Sequence, residues 1–143
     1  MASLPDIYNF VSETSGVKLE RLTLTSDLFA DLGIDGDDFF ELEAEFEKRF
    51  SVDMSAYRWY FHHGEEGSLS IGRLVFRPPY RRVRRIPITP ELLLASANAH
   101  RWPLVYPAHD LPSRRLDLLF DQTFFGAIAF AGLIFLAWRW FHA

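Results

Sequence analysis

At 143 residues, 49% of them apolar, the chain has room for one packed domain and a further segment, and is too apolar to be wholly disordered. It contains no cysteine, which excludes disulfides, thiolate metal sites and cysteine nucleophiles. The net charge of −4 conceals a division: residues 1–66 hold 5 Lys or Arg against 15 Asp or Glu, and residues 67–143 hold 10 Arg against 4 Asp or Glu.

The N-terminal residues Met1-Ala2-Ser3-Leu4-Pro5-Asp6 form neither a basic n-region nor an apolar h-region, so no cleaved signal peptide is expected. Leu4 to about Ser15 reads as a short amphipathic helix with Ile7, Tyr8, Phe10 and Val11 inward, closed by Gly16. Thr25-Ser26-Asp27 is a capping sequence for a short helical turn through Leu32. Asp35-Gly36-Asp37-Asp38 starts the next helix, because acidic side chains suit the free N–H groups of a helix N-terminus. From there to Phe50, Phe39, Leu42, Phe46 and Phe50 recur at helical spacing, while Glu41, Glu43, Glu45 and Glu47 cover the remaining surface.

Ser51-Val52-Asp53-Met54 reads as a connector, and Ser55 as a cap for a short aromatic helix over Ala56 to His62. Gly64 to Ile88 reads as a non-helical, basic insertion, with Leu74-Val75-Phe76 as the candidate for a short strand. Thr89-Pro90-Glu91 predicts a clean helix start and a helix to about His100, stopping before Trp102-Pro103. Residues 1–105 form the expected soluble domain, with the insertion at 64–88, and residues 106–117 the expected linker.

Residues 122–138 carry no charge, and 17 residues of helix are about 25 Å long, near the short limit for crossing a hydrocarbon core. A transmembrane helix is expected over 118–141, with Asp117 and Asp121 at a water-accessible interface. Arg114 and Arg115 precede the run, and Trp138, Arg139 and Trp140 close it as interfacial anchors. The competing reading is a buried core helix, which would normally keep a polar stripe that this run lacks. Small residues at Gly126, Ala127, Ala131 and Gly132 would admit a neighbouring helix, although no strict G-x-x-x-G is present. The excess of arginine on the N-terminal side of the span predicts a single-pass protein of the inner (cytoplasmic) membrane, with its soluble domain in the cytoplasm.

The segment from Asp31 to Phe50, with Asp31-Leu-Gly-Ile-Asp35-Gly36 leading into an acidic helix that ends in phenylalanine, resembles the acyl carrier protein motif. The resemblance implies a mainly α, small helical bundle. Carrier proteins have at the position of Gly36 a serine that bears the phosphopantetheine arm; glycine has no hydroxyl to form that ester. With Val52-Asp53-Met54, Tyr60-Phe61, Ile88-Thr89-Pro90-Glu91-Leu92 and Arg101-Trp102-Pro103, the chain more closely resembles an uncharacterised family of bacterial carrier-like proteins over about residues 5–105. That resemblance implies no established reaction and no cofactor.

Other chemistry finds little support. Aligning Gly36 with position 6 of an EF-hand loop puts Gly33 and Leu42 where ligands are needed, so calcium binding of that type fails. His62 and His63 are adjacent, point apart on a short helix and read as surface residues rather than metal ligands. No G-x-S-x-G elbow is present.

Asp35, Asp37, Asp38, Glu41 and Glu45 form an acidic face that is either a solvated surface or a dock for a basic protein partner. Arg73, Arg77, Arg81, Arg82, Arg84 and Arg85 are expected to meet anionic lipid or an acidic protein rather than nucleic acid, which the acidic half would repel. These features predict a non-enzymatic, membrane-anchored adaptor; the alternatives are an accessory single-span subunit of a membrane enzyme complex and a carrier modified at another serine.

Overall fold

The computed structural model describes residues 1–65 and 70–142. Among these residues the protein is mainly helical, with α1 (Leu4–Ser15), α2 (Gly36–Phe50), α3 (Gly72–Val75), α4 (Pro90–Ala99) and α5 (Leu116–His142) and no strand. Two residues pair outside the helices, through a single parallel bridge between Asp53 and Arg101. The chain divides into two units: Met1–Glu66 with Val83–His109, and Gly67–Arg82 with Asp110–Ala143.

In the first unit, α1 begins at a reciprocal cap. The Ser3 N–H donates to the Asp6 carboxylate at 2.7 Å, and the Asp6 N–H donates back to Ser3 Oγ. Gly16 ends the helix with φ of 70°, the left-handed conformation that glycine takes without a Cβ penalty. The predicted start of α4 is present: Thr89 Oγ1 accepts from the Leu92 N–H at 3.2 Å, and Pro90 occupies the first turn.

The apolar faces of these helices converge. Ile7, Phe10 and Val11 of α1, Phe39, Leu42 and Phe46 of α2, and Leu93 and Ala97 of α4 are buried in one core with Leu28, Ile34, Ile88 and Trp102. The Phe10 and Phe46 rings lie 5.6 Å apart and tilted, a favourable arrangement for their quadrupoles. Tyr8 and Phe50, also expected inward, are half-buried at the edge.

Three local expectations change. The aromatic segment is only a 3₁₀ turn, Trp59–Phe61, and Ser55 does not cap it; its N–H instead donates to Asp53. Thr25 to Leu32 makes turns rather than a helix, with the Asp27 carboxylate accepting from the Phe29 and Ala30 N–H groups. The first unit also extends to His109, where Tyr60 and His109 Nε2 are hydrogen-bonded at 2.8 Å, so the linker begins later than residue 106. Part of the predicted insertion, residues 66–69, lies outside the described residues.

In the second unit the candidate strand Leu74-Val75-Phe76 is replaced by α3. The Asp121 carboxylate of α5 accepts the Gly72 N–H at 2.7 Å and the Ser70 hydroxyl at 2.5 Å, fixing the backbone in a helical turn that Gly72 and the β-branched Val75 would not favour alone. Phe76 meets the Phe120 ring at 6.0 Å. Asp117, expected at the water interface, is 2% exposed and is gripped by Arg115 through bonds of 2.6 and 2.9 Å.

α5 begins at Leu116, one half-turn earlier than expected, and its 27 residues extend about 40 Å. Its best 18-residue window has a mean hydropathy of 1.7 and none of it is buried by the rest of the chain, so α5 is not a core helix here. It is long and apolar enough to cross a membrane.

Candidate functional site

The acidic face is carried by α2, whose opposite side is pinned to the core by Phe39, Leu42 and Phe46. Asp37, Asp38 and Glu41 are exposed, and among the described residues no hydrogen bond or cation reaches their carboxylates. Glu45 is half-buried and pairs with Lys48 at 3.5 Å, while Asp35 accepts the Gly64 N–H at 3.3 Å. The structure therefore leaves Asp37, Asp38 and Glu41 as the outward acids and gives Asp35 and Glu45 local roles. Phe40 interrupts this face, 39% exposed, with its ring 5.9 Å from that of Trp59.

Gly36 is buried at the first turn of α2 with φ of 55°, a conformation that a serine would hold only under strain. Position 36 thus combines a missing hydroxyl with a backbone suited to glycine.

A second constellation was not legible from the sequence. His62 and His63, expected at the surface, are 1% and 2% exposed. The Ile86 carbonyl can only accept, so His62 Nδ1 carries the proton that bonds it at 2.8 Å, and Nε2 accepts from the Tyr106 hydroxyl at 2.7 Å. Tyr106 in turn accepts from Trp102 Nε1–H at 2.7 Å and from the Arg58 N–H at 3.2 Å. Burial drives the imidazole of His62 down to about 4; the Ile86 carbonyl opposes that, and the charges of His63 and Arg85 reinforce it. Burial likewise raises the Tyr106 phenol.

His63 is stacked on Phe39 at 4.5 Å and bonds Glu43 Oε1 at 3.1 Å, the same carboxylate that accepts the Tyr57 hydroxyl. These contacts give the buried His62 and His63 polar partners, which makes their burial tolerable. Among the described residues no three His, Asp or Glu side chains gather as metal ligands.

The arginines separate. Arg85 is engaged by Asp27 in a two-pronged pair of 2.6 and 3.0 Å and lies over the Phe29 ring at 5.1 Å, so it serves the first unit's own packing. Burial would raise the Asp27 carboxyl, but the Arg85 guanidinium and the Ala30 and Phe29 N–H groups hold it below the usual carboxylate range. Arg84 is exposed in the same unit. Arg73, Arg77, Arg81 and Arg82 belong to the second unit with Arg114 and Arg115. Arg82 Nε donates to the Arg77 carbonyl at 2.8 Å, and Arg81 lies over Tyr80. At the far end of α5, Trp138, Arg139 and Trp140 are exposed.

Residues 4–106 match a family described as protein of unknown function (DUF1493). No curated protein and no solved structure matches the chain.

Proposed function

The chain belongs to the DUF1493 family, and for it we propose a non-enzymatic adaptor, anchored in a membrane by α5, that presents α2 to a protein with a basic surface. One observation carries this reading: Asp37, Asp38 and Glu41 project from one face of a helix without an internal cation. Asp37 and Asp38 suit the first turn of α2, but like charges at helical spacing also repel one another, and Glu41 lies beyond that turn, so an outside cation gives the grouping a further use. Phe40 among them adds an apolar contact, the usual companion of charge at a protein interface. The carrier-like residue pattern supports the same use of this helix, and Gly36 removes the arm chemistry. The arginines before the span favour the inner membrane with the domain on the cytoplasmic side.

The test is site-specific photo-crosslinking from position 40 in cell membranes, with and without charge reversal at Asp37, Asp38 and Glu41. A discrete protein adduct that disappears on reversal, while the chain stays in the membrane fraction, supports the reading. Adducts indifferent to the reversal, or a chain removed by alkaline carbonate, overturn it. Intact mass after co-expression with a phosphopantetheinyl transferase addresses the alternative of a carrier using another serine: a gain equal to the arm establishes it.

A second reading, an accessory single-span subunit of a membrane enzyme complex, is favoured by α5 itself. A Cβ at Gly126 or Gly132 would meet nothing within 4 Å, so nothing inside the chain requires glycine there. Glycine within a helix costs about 1 kcal/mol relative to alanine, and close approach by another span would offset it. Purification in mild detergent separates the readings: a stoichiometric multi-subunit complex favours the second.

A further inference from the structure

We propose that the foot of α5 is a binding site for the phosphate group of an anionic phospholipid; the proposal rests on the membrane-anchored reading above. Two stretches far apart in sequence meet around one small cavity within the second unit, bringing Arg77 and Arg82 together with Arg114 and Arg115. Phe76 and Leu116 supply apolar wall. The floor holds about 20 Å³, room for one water-sized group, which fits a phosphoryl oxygen and not a whole headgroup.

Charge is left over at this cavity. Arg115 is matched by Asp117, the one acid on its lining, so Arg77, Arg82 and Arg114 make it cationic. Arg82 is steadied through Nε by the Arg77 carbonyl, which leaves its terminal nitrogens for a forked contact with an anion.

The surroundings distinguish a lipid from a soluble phosphate. A second, open groove shares Arg114 and Arg115 and continues along α5 past Leu118, Leu119 and Gln122. It therefore leads from guanidinium groups onto apolar helix surface, matching the order of a lipid headgroup and its acyl chain. On the other side, Leu74 and Val75 of α3 are 83% and 60% exposed, apolar surface that bilayer would cover.

The full chain in nanodiscs provides the test, with lipid retention read by native mass spectrometry. Discs of phosphatidylcholine alone are compared with discs containing phosphatidylglycerol. Phosphatidylglycerol should be retained selectively, and the double variant R77Q/R82Q should lower that retention about tenfold. The charge-matched pair R21Q/R101Q, exposed residues of the first unit, should leave it unchanged. R77K/R82K, which keeps the charge and removes the fork, should fall between them. A phosphatidylglycerol with an acyl-chain photolabel should mark residues around Leu118 and Leu119, an independent readout if a variant folds poorly.

Equal retention of phosphatidylcholine, equal loss in the two glutamine pairs, or labelling elsewhere overturns the proposal. Displacement by excess inorganic phosphate alone would assign the site to free phosphate and overturn the lipid assignment. A chain that resists alkaline carbonate yet lacks lipid selectivity overturns the pocket and leaves the anchor standing; a chain that carbonate removes overturns both.

Discussion

Gly72 lies so close to Asp117 that a Cβ on the glycine would come within 2.0 Å of the Asp117 carbonyl oxygen. The obstacle is backbone in the first turn of α5, which cannot swing aside as a flexible side chain would. Gly72→Ala should therefore lift α3 from α5, at roughly 1–3 kcal/mol for the forced displacement. Limited trypsin digestion checks this: cleavage after Arg73 should accelerate, while cleavage after Arg21, in the first unit, should not.

Arg85→Ala would leave Asp27 mostly enclosed without its guanidinium partner. The loss should be roughly 1–2 kcal/mol, below that of a fully enclosed pair, because 37% of the Arg85 side chain faces solvent and two N–H groups still bond Asp27. Thermal unfolding of the detergent-solubilised chain should show the lowered midpoint. Arg84→Ala, at an exposed neighbour, should leave it nearly unchanged.

His62 predicts a pH dependence with a definite sign. Its folded value of about 4 lies below the ordinary 6.5, so between those limits the unfolded chain binds the additional proton. The contribution to stability is complete above pH 6.5 and is lost as pH falls toward 4, about 3 kcal/mol in all. Urea unfolding across that range should show the decline. His62→Gln should be less stable at neutral pH and show a flatter profile.

Gly36→Ser would introduce a hydroxyl but place its side chain in the left-handed region, at φ of 55°. It should lower stability by about 1–2 kcal/mol. The parent chain should keep an unchanged intact mass in the presence of a phosphopantetheinyl transferase, since position 36 offers no hydroxyl.

How far the sequence could be read depended on how local each cause was. α4 was legible because Thr89 and Pro90 act within a few residues of themselves, and α5 because its apolar character is continuous. The inward positions of α2 followed from the spacing of Phe39, Leu42 and Phe46. α3 was misread as a strand because the group that caps it, Asp121, lies 49 residues away. His62 and His63 were placed at the surface because the partners that make their burial tolerable are Tyr106, Ile86 and Glu43. Adjacent histidines directly after the aromatic run from Tyr57 to Phe61, with Trp102 and Tyr106 beyond, were the available hint of a shared interior. The arginine gathering at the α5 foot depends on contact between segments more than 30 residues apart and left no local signature.

The hold of Asp121 on Ser70 and Gly72 means that the hydrophobic tail is not a removable appendage. Cutting the chain near residue 110 would strip α3 of the helix on which it rests and uncover Phe76, so the product should be sticky rather than a well-behaved soluble fragment. A water-soluble version of the first unit requires excising residues 67–82 as well and rejoining the chain with a short bridge. Truncation of the tail alone would confuse loss of the proposed anchor with damage to the segment sewn onto it.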